Sequence, residues 1–409
     1  MNTALIRLED FDISPDIGFL GSQPHLHLTG EWKTWEDLLG DAMEQKLVLG
    51  ENPACSEATL AESARWRARV CEAPLLSATA LDDSVPALKR AHHVLSFILH
   101  FYVHTLPHES AIYIPPSLSV PLAYVSDVLN IPPVITYSDL VLYNWTTDPS
   151  TGNTYFPSAF SGKADEQAFY RASVIIELRG AEALDLIRQI SDNILIGADA
   201  QITKLLTRIS VLINDFKKVL LDLRKDCDPE AYYQEVRPWL RGEDSLPNRK
   251  WTFQGLTGDS GEAFKELSGP SAGQSTLIHA LDIFLGINNH LANGTPSLFG
   301  RMQRYMPREH RLFLSHLSSA PRSLRDFITE SNHRELTDAY NNAVLALKAF
   351  RDTHLIIATL YIVVPANRAR ERASMDIEYV GTGGTGLVSF LKGIRDRTKE
   401  SVLPTEQGS

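Results

Sequence analysis

The sharpest chemical feature of this 409-residue chain is His354, which sits inside the apolar run TDAYNNAVLALKAFRDTHLIIATLYIVVP. Leu347, Phe350, Ile357 and Tyr361 share its face at helical spacing, so the imidazole projects from an apolar surface toward a core. A haem-binding helix presents its axial ligand in this way. A histidine on such a face is, however, more often a hydrogen-bonded core residue. Arg237 follows Tyr232 and Tyr233 by about one helical turn, so a cation and two rings can frame an aromatic amino acid or form a structural ion pair. Ser173, in FYRASVIIEL, can serve as a pocket hydroxyl or as a small helix-packing residue.

Other clusters carry less. His93, His100, His104 and His108 fall near one helical face, and His100 and His104 have metal-ligand spacing. Pro107 should end that helix and no glutamate lies between the pair, so no metal is assigned there, nor at His25 and His27. The segment IEYVGTGGTGLVSFLKGI contains G-x-G-x-x-G, but a dinucleotide fold needs a further strand with an acidic residue, and only one helix and a polar tail follow. Glycines and threonines at this position suit a lid that closes over a small ligand. No Ser-His-Asp, Cys-His or paired-carboxylate arrangement stands out.

The elements that must position these residues are helices, because apolar residues recur at three and four positions and alternating β-branched runs are few. Leu95–Val103 and Val120–Leu129 are helical candidates, followed by a polar segment, TTDPSTGNTYFPSAFSGKADE, that reads as an exposed linker. We place a boundary there, giving a small helical domain with its linker over 1–158 and a large helical domain over 159–409. Within the latter, Phe169–Ile196 and Gln201–Arg224 should be long helices, AYYQEVRPWLRG a shorter one ended by Pro and Gly, and STLIHALDIFLGI another. Thr337 should cap the helix bearing His354 and Pro365 should close it.

Composition narrows the partners. The chain is 44% apolar and 22% charged with a formal charge of -11, which disfavours a nucleic-acid polyanion or an anionic membrane surface. Cys55, Cys71 and Cys227 are odd in number and widely spaced, so a reducing compartment is expected. The acidic N-terminal residues do not suit a signal peptide, and Leu355–Ala366, the most apolar stretch, is too short to cross a bilayer. A cytoplasmic monomer acting on a small ligand is the expectation.

The segments PPVITYSDLVLYNW, FYRAS, DPEAYYQEVR, SGPSAGQSTLIHALDIFLGI, RYMPREHRLFL, LKAFRDTHLIIATLYIVVPA and GTGGTGLVSFLKGIRDRT follow one another in this order. Together they resemble the indoleamine 2,3-dioxygenases, from about Gly18 to Val402. The resemblance implies an all-α fold of a small N-terminal and a large C-terminal domain, with one haem b, ferrous when active, in the large domain. It implies that His354 is the axial iron ligand, that Arg351 lies beside a haem propionate and that Asp282 braces Arg351. It further implies a pocket for an indole lined by Tyr137, Leu140, Val141, Phe169, Ser173, Tyr232, Tyr233 and Arg237. The loop of Ser271, Ala272 and Gly273 would lie at the cofactor, and Thr382 would serve the lid.

By the same resemblance, L-tryptophan and dioxygen would be the substrates and N-formylkynurenine the product, with iron-bound oxygen rather than a side chain carrying the chemistry. The chain departs from the family's vertebrate members at Tyr232 and Tyr233 (two phenylalanines there), Leu140 (cysteine), Pro270 (glycine) and Gly386 (aspartate). Those departures motivate another indole or aryl substrate as an alternative, and a non-enzymatic haem sensor is a third. Arg237, Ser271 and Thr382 argue against a sensor, which needs no clamp for an amino-acid carboxylate.

Overall fold

The computed structural model describes residues 6–21, 26–52, 55–245, 249–256, 264, 266–287, 298–373 and 386–404. Fourteen α-helices are found among them, with only two short strand pairs, so the fold is all-α. The first helices are α1 (Lys33–Glu44), α2 (Glu57–Glu72), α3 (Val85–His104) and α4 (Pro116–Leu129). Their starts are written locally. Ser56 and Ser84 each accept a hydrogen bond from the backbone three residues on, Thr59 and Ala87, which satisfies a donor that the first turn leaves open. The end of α3 at His104 agrees with Pro107 as its breaker.

Next come α5 (Ala164–Ile196), α6 (Asp199–Asp226) and α7 (Pro229–Ala231), the last running on through Leu240 as a wide π turn and a tight 3-10 turn. They are followed by α8 (Thr276–Phe284), α9 (Leu298–Met302), α10 (Arg308–Ser318), α11 (Leu324–Ser331), α12 (Arg334–Ala358), α13 (Val364–Ala373) and α14 (Leu387–Glu400). Helix α12 is the axis of this part, packed against α6 on one side and α14 on another. Tyr340, Val344 and Leu347 are fully buried along it. The continuous stretch 334–371 is long and apolar enough to span a bilayer by those measures alone, but its apolar face is spent on these helix neighbours.

Three expectations are corrected. Thr337 does not cap α12: the cap position is His333, and the Thr337 hydroxyl instead donates back to the His333 carbonyl at 3.2 Å. Pro365 does not end the helix, because a π turn over Thr359–Val363 immediately precedes it. That turn closes with the Val364 amide on the Thr359 carbonyl five residues back, and the widened ring gives room for a residue that has no N–H and crowds the preceding turn. The polar segment after Trp145 is only partly exposed. Thr146–Thr147 (β2) pairs antiparallel with Thr154–Tyr155 (β3), and Phe156 and Phe160 are then buried.

Phe160 lies parallel to Trp239, with ring centroids 5.6 Å apart at 8°, and against Phe97 of α3 at 4.7 Å. The Glu166 carboxylate gathers the backbone amides of Phe160 (2.8 Å), Ser161 (2.7 Å) and Gly162 (3.1 Å), tying this segment to the first turn of α5. Further links join the first 158 residues to the rest. Ile112–Ile114 (β1) pairs in parallel with Trp251–Phe253 (β4), and two α3 histidines reach the 237–241 backbone, His100 Nδ1 to the Trp239 carbonyl (2.7 Å) and His104 Nε2 to that of Arg241 (3.0 Å).

These histidines make the fold sensitive to acid. Burial depresses His100 to about 4 and His279 and His310 to about 3, and holds His104 well below its ordinary value. Each binds a proton in the unfolded chain below about pH 6.5 that the folded state refuses, so stability falls by up to about 1.4 kcal/mol per pH unit per group. Glu177 and Asp244, raised to about 7 and about 6 by burial, act in the opposite sense but are outnumbered. Denaturant midpoints of the haem-free protein should therefore drop steadily from about pH 6.5 toward pH 4, and a flat profile would contradict the burial of these rings.

Candidate active site

Helix α5 carries Phe169, Ser173 and Glu177 at four-residue spacing, hence on one face. Phe169 meets Tyr232 with ring centroids 4.4 Å apart at 34°, and Tyr232 meets Tyr361 edge-on at 5.7 Å. Tyr361 is fixed by its hydroxyl, which donates to the Cys227 carbonyl at 2.7 Å. Arg237 is buried and lies over the Tyr233 ring at 5.5 Å. Burial lowers its pKa, and the neighbouring Arg241 acts in the same sense.

Three π turns occur among the described residues: Ser138–Leu142, Tyr232–Val236 and Thr359–Val363. They hold Leu140 and Val141, Tyr232 and Tyr233, and Tyr361, respectively. A π turn inserts one residue and rotates everything after it by roughly 100° about the axis, which re-aims side chains that a regular helix would send elsewhere. Such insertions concentrate at functional sites.

A second group centres on α12. Arg351 Nη2 donates to both oxygens of Asp282 on α8 at 2.6 Å, and its Nη1 donates to the Thr398 hydroxyl of α14. All three residues are buried. The pair clamps three helices together, and removing one partner of such a pair costs about 3 to 5 kcal/mol. His354, one turn on from Arg351, lies deep enough for burial, with a contribution from the Arg351 charge, to depress it to about 4. It is therefore neutral, yet the residue keeps intermediate accessibility. No described residue hydrogen-bonds its ring.

The loop of Ser271, Ala272 and Gly273 joins the two groups. His279 Nε2 donates to the Gly273 carbonyl at 2.9 Å while Gln303 approaches its Nδ1 at 3.3 Å, which defines the tautomer. On the other side, the Gln274 side chain accepts from the Tyr137 amide at 2.8 Å and donates to the Gly269 carbonyl at 3.0 Å. A Cβ at Gly273 would meet Ser271 Oγ at 3.3 Å and Met302 Cγ at 3.4 Å, so the loop has little room for a larger residue. Ala272 is exposed and Ser271 half-buried.

The fold thus places Tyr137, Leu140, Val141, Phe169, Ser173, Tyr232, Tyr233 and Arg237 on one linked set of elements, and Asp282, Arg351 and His354 on another, with the 271–273 loop between. Thr382, and with it most of the glycine-rich lid segment, lies outside the described residues. Asn367–Ala373, which precede that segment, belong to helix α13. The α3 histidines are claimed by other contacts: His93 Nε2 meets the Ser158 hydroxyl at 2.8 Å, and His100 and His104 hold backbone carbonyls.

Sequence reasoning missed Glu177. Its Oε1 accepts from the Tyr137 hydroxyl at 2.9 Å and the Ser275 hydroxyl at 2.7 Å, and burial still raises it to about 7. The available signal was its place four residues beyond Ser173. It also missed His279 and Gln303, for which no local pattern spoke.

Comparison with known proteins bears on the same arrangement. The family model described as indoleamine 2,3-dioxygenase matches residues 7–401. The chain is 32% identical to the human indoleamine 2,3-dioxygenase 2 over 97% of this chain and 96% of the relative. It is 31% identical to the indoleamine 2,3-dioxygenase of Saccharomyces cerevisiae, covering 96% and 92% of the two chains. It is 30% identical to the 6-hydroxytryptophan 2,3-dioxygenase of Fusarium equiseti, covering 98% and 99%. With a match that spans nearly every described element, the all-α fold around α12 is that of a haem-dependent oxidoreductase, and the chain belongs to the indoleamine 2,3-dioxygenase family.

Proposed function

We propose that this protein opens the indole ring of L-tryptophan, inserting both atoms of dioxygen across C2=C3 to give N-formylkynurenine, and that His354 would hold the iron of a haem b. The observation that carries the reading is His354 itself: a deep, neutral imidazole with no described hydrogen-bond partner, beside an arginine locked by a buried carboxylate. Among the described residues no group of three or more His, Cys, Asp or Glu is arranged to hold a metal ion. A lone imidazole fits an iron whose other donors are the four nitrogens of a porphyrin. The residues present therefore fit the group.

When bound, the ferrous haem supplies the dioxygen chemistry. The chain's own residues then bind, orient and exclude water. Arg351, held by Asp282, would offer a fixed positive charge to a haem propionate, and Ser271, Ala272 and Gly273 would pass beside the cofactor. Phe169 and Tyr232 present ring faces to the indole, Tyr137, Leu140 and Val141 close the wall, and Arg237 with Tyr233 receives the amino-acid carboxylate. Thr382 belongs to the lid in this reading. So do the division at residues 158 and 159, a cytoplasmic monomer, and no nucleic-acid or membrane partner.

A second reading, an indole bearing a ring hydroxyl, is favoured by one observation. Tyr232 and Tyr233 bring phenols to the pocket, and the similar Fusarium equiseti protein is named for 6-hydroxytryptophan. The deciding experiment is to reduce the haem-loaded protein, add oxygen with L-tryptophan or 6-hydroxy-L-tryptophan, and follow the absorbance of the N-formylkynurenine chromophore. Full haem loading with no product from either would overturn both readings, and turnover of the hydroxylated substrate alone would select the second.

Ser173→Ala should remain active, since no side-chain base is required and one neutral hydrogen bond is worth about 0.5 to 1.5 kcal/mol. Loss of turnover by several orders of magnitude, with haem and substrate binding intact, would instead assign Ser173 essential proton chemistry.

A further inference from the structure

We infer that His92 and Asp139 are positioning residues for the proposed substrate pocket, a buried imidazolium and carboxylate that pin the segment 132–142, bearing Tyr137, Leu140 and Val141, to helix α3; this rests on the indole reading above. His92 lies inside α3, and both members of the pair are buried. The His92 Nδ1 meets Asp139 Oδ1 at 3.0 Å, and its Nε2 meets the Pro132 carbonyl at 3.2 Å. A neutral imidazole donates from one nitrogen only, so its bare nitrogen would face an oxygen lone pair. With a proton on each nitrogen, both contacts become hydrogen bonds. One ring then holds the segment at two points.

The second carboxylate oxygen shows which partner keeps the negative charge. Asp139 Oδ2 accepts from the Thr136 amide at 2.8 Å and from the Thr136 hydroxyl at 2.7 Å, two donors that favour the ionised form. Asp139 itself sits in the π turn Ser138–Leu142, with Leu140 and Val141 directly after it and Tyr137 just before the turn. The pair therefore fixes the backbone from which these wall residues project, while Glu177 and Gln274 hold Tyr137 from α5 and from the end of the 271–273 loop. Other charges nearby are matched. Lys89, Tyr143, and Arg308 and Glu309 of α10 line a small crevice beside the pair, and Lys89 is bound to Asp12. On α3 itself, His93 meets Ser158 and His100 donates to the Trp239 carbonyl. Burial disfavours a charge on either member, but the partner's charge and hydrogen bond outweigh it, so His92 titrates above its ordinary value and Asp139 below its own.

The test has two arms, both on the haem-loaded full chain. Nitrogen-15 NMR of the histidine-labelled, ferrous, carbon monoxide-bound protein, which is diamagnetic, reads the charge. At about pH 7.5, a unit above the ordinary histidine value, His92 should carry protons on both ring nitrogens, its signals being identified by their loss in His92→Gln. Asp139→Asn, which keeps the shape but removes the negative charge, should return His92 to a single proton. In calorimetric titrations, Asp139→Asn and His92→Gln should each weaken L-tryptophan binding by roughly three- to tenfold, the worth of a hydrogen bond or two. Haem content should not change, because the residues proposed to hold the haem lie on α8, α12 and the 271–273 loop. A merely structural pair predicts lower denaturant midpoints with the L-tryptophan affinity of wild type. Should a single variant fail to fold because it strands one buried charge, His92→Leu/Asp139→Leu strands neither and should show the same loss of affinity. A His92 with one protonated nitrogen in wild type, or folded variants that bind L-tryptophan like wild type, overturns the inference. Failure of wild type itself to bind L-tryptophan would instead sink the indole reading beneath it.

Discussion

Purified His354→Ala is expected to keep its helical circular-dichroism signal and to lose stable haem. The helix that carries the residue is held by contacts that the substitution does not touch. Its apolar face packs on α6 and α14, Arg351 bonds Asp282 and Thr398, and the Asn341 side chain exchanges hydrogen bonds with the Leu403 backbone at 2.8 and 2.9 Å. Removing an imidazole that no described residue hydrogen-bonds leaves no orphaned partner in the protein. A haem held as proposed above would, in contrast, lose the single bond that the chain contributes to its iron, and apolar contacts with the porphyrin would hold it far less specifically. Haem content by pyridine haemochrome and the spectrum of the reduced form measure the outcome. An alanine variant that retained a full complement of five-coordinate, histidine-like haem would show that another residue is the ligand.

Arg237→Leu is expected to weaken L-tryptophan binding by about tenfold or more while changing 3-methylindole little. A charge-assisted pair in a largely dry pocket is worth roughly 2 to 5 kcal/mol, and the buried guanidinium lies beside the Tyr232 and Tyr233 rings that frame the proposed indole position. An indole without a carboxylate never makes the contact, so it has nothing to lose. If Arg237 only braced the turn from Arg237 to Leu240, the variant would damage stability and both ligands alike. Titrations of both ligands against the ferrous forms of wild type and variant separate the cases, and parallel losses would rule out a carboxylate clamp.

Much of the helical framework is legible in the chain because helix formation depends on local periodicity and caps. The long helices around Phe169–Ile196, Gln201–Arg224 and His354 follow from three- and four-residue spacing, and α3 stops short of Pro107 as a missing N–H requires. The ends of α12 are less legible. Thr337 has the right chemistry for a cap but sits a turn inside the helix, and the π turn before Pro365 absorbs a residue that would otherwise break it. A π turn is a one-residue insertion without a residue signature, so the aims of Leu140, Tyr232 and Tyr361 could not be deduced from spacing. Arg351 and Asp282 were recognisable only through the resemblance, since a single arginine and a single aspartate 69 positions apart carry no local pattern.

By itself, then, the sequence determined that the chain is helical, that His354 belongs to an apolar helix face, and to which family the ordered motifs belong. These are properties of neighbouring residues and of their order, and they do not depend on how the helices meet. Tertiary structure alone decided which charges are buried and in what state. Glu177 reads as an ordinary solvated helix residue until Gly180 brings α5 against Leu277 and encloses its carboxyl with two hydroxyls and no cation. Likewise His100 and His104, a possible metal pair by spacing, become neutral supports for the 237–241 backbone once α3 packs against it. Protonation and hydrogen-bond direction follow from desolvation and from partners distant in the chain, and these exist only after the helices have packed.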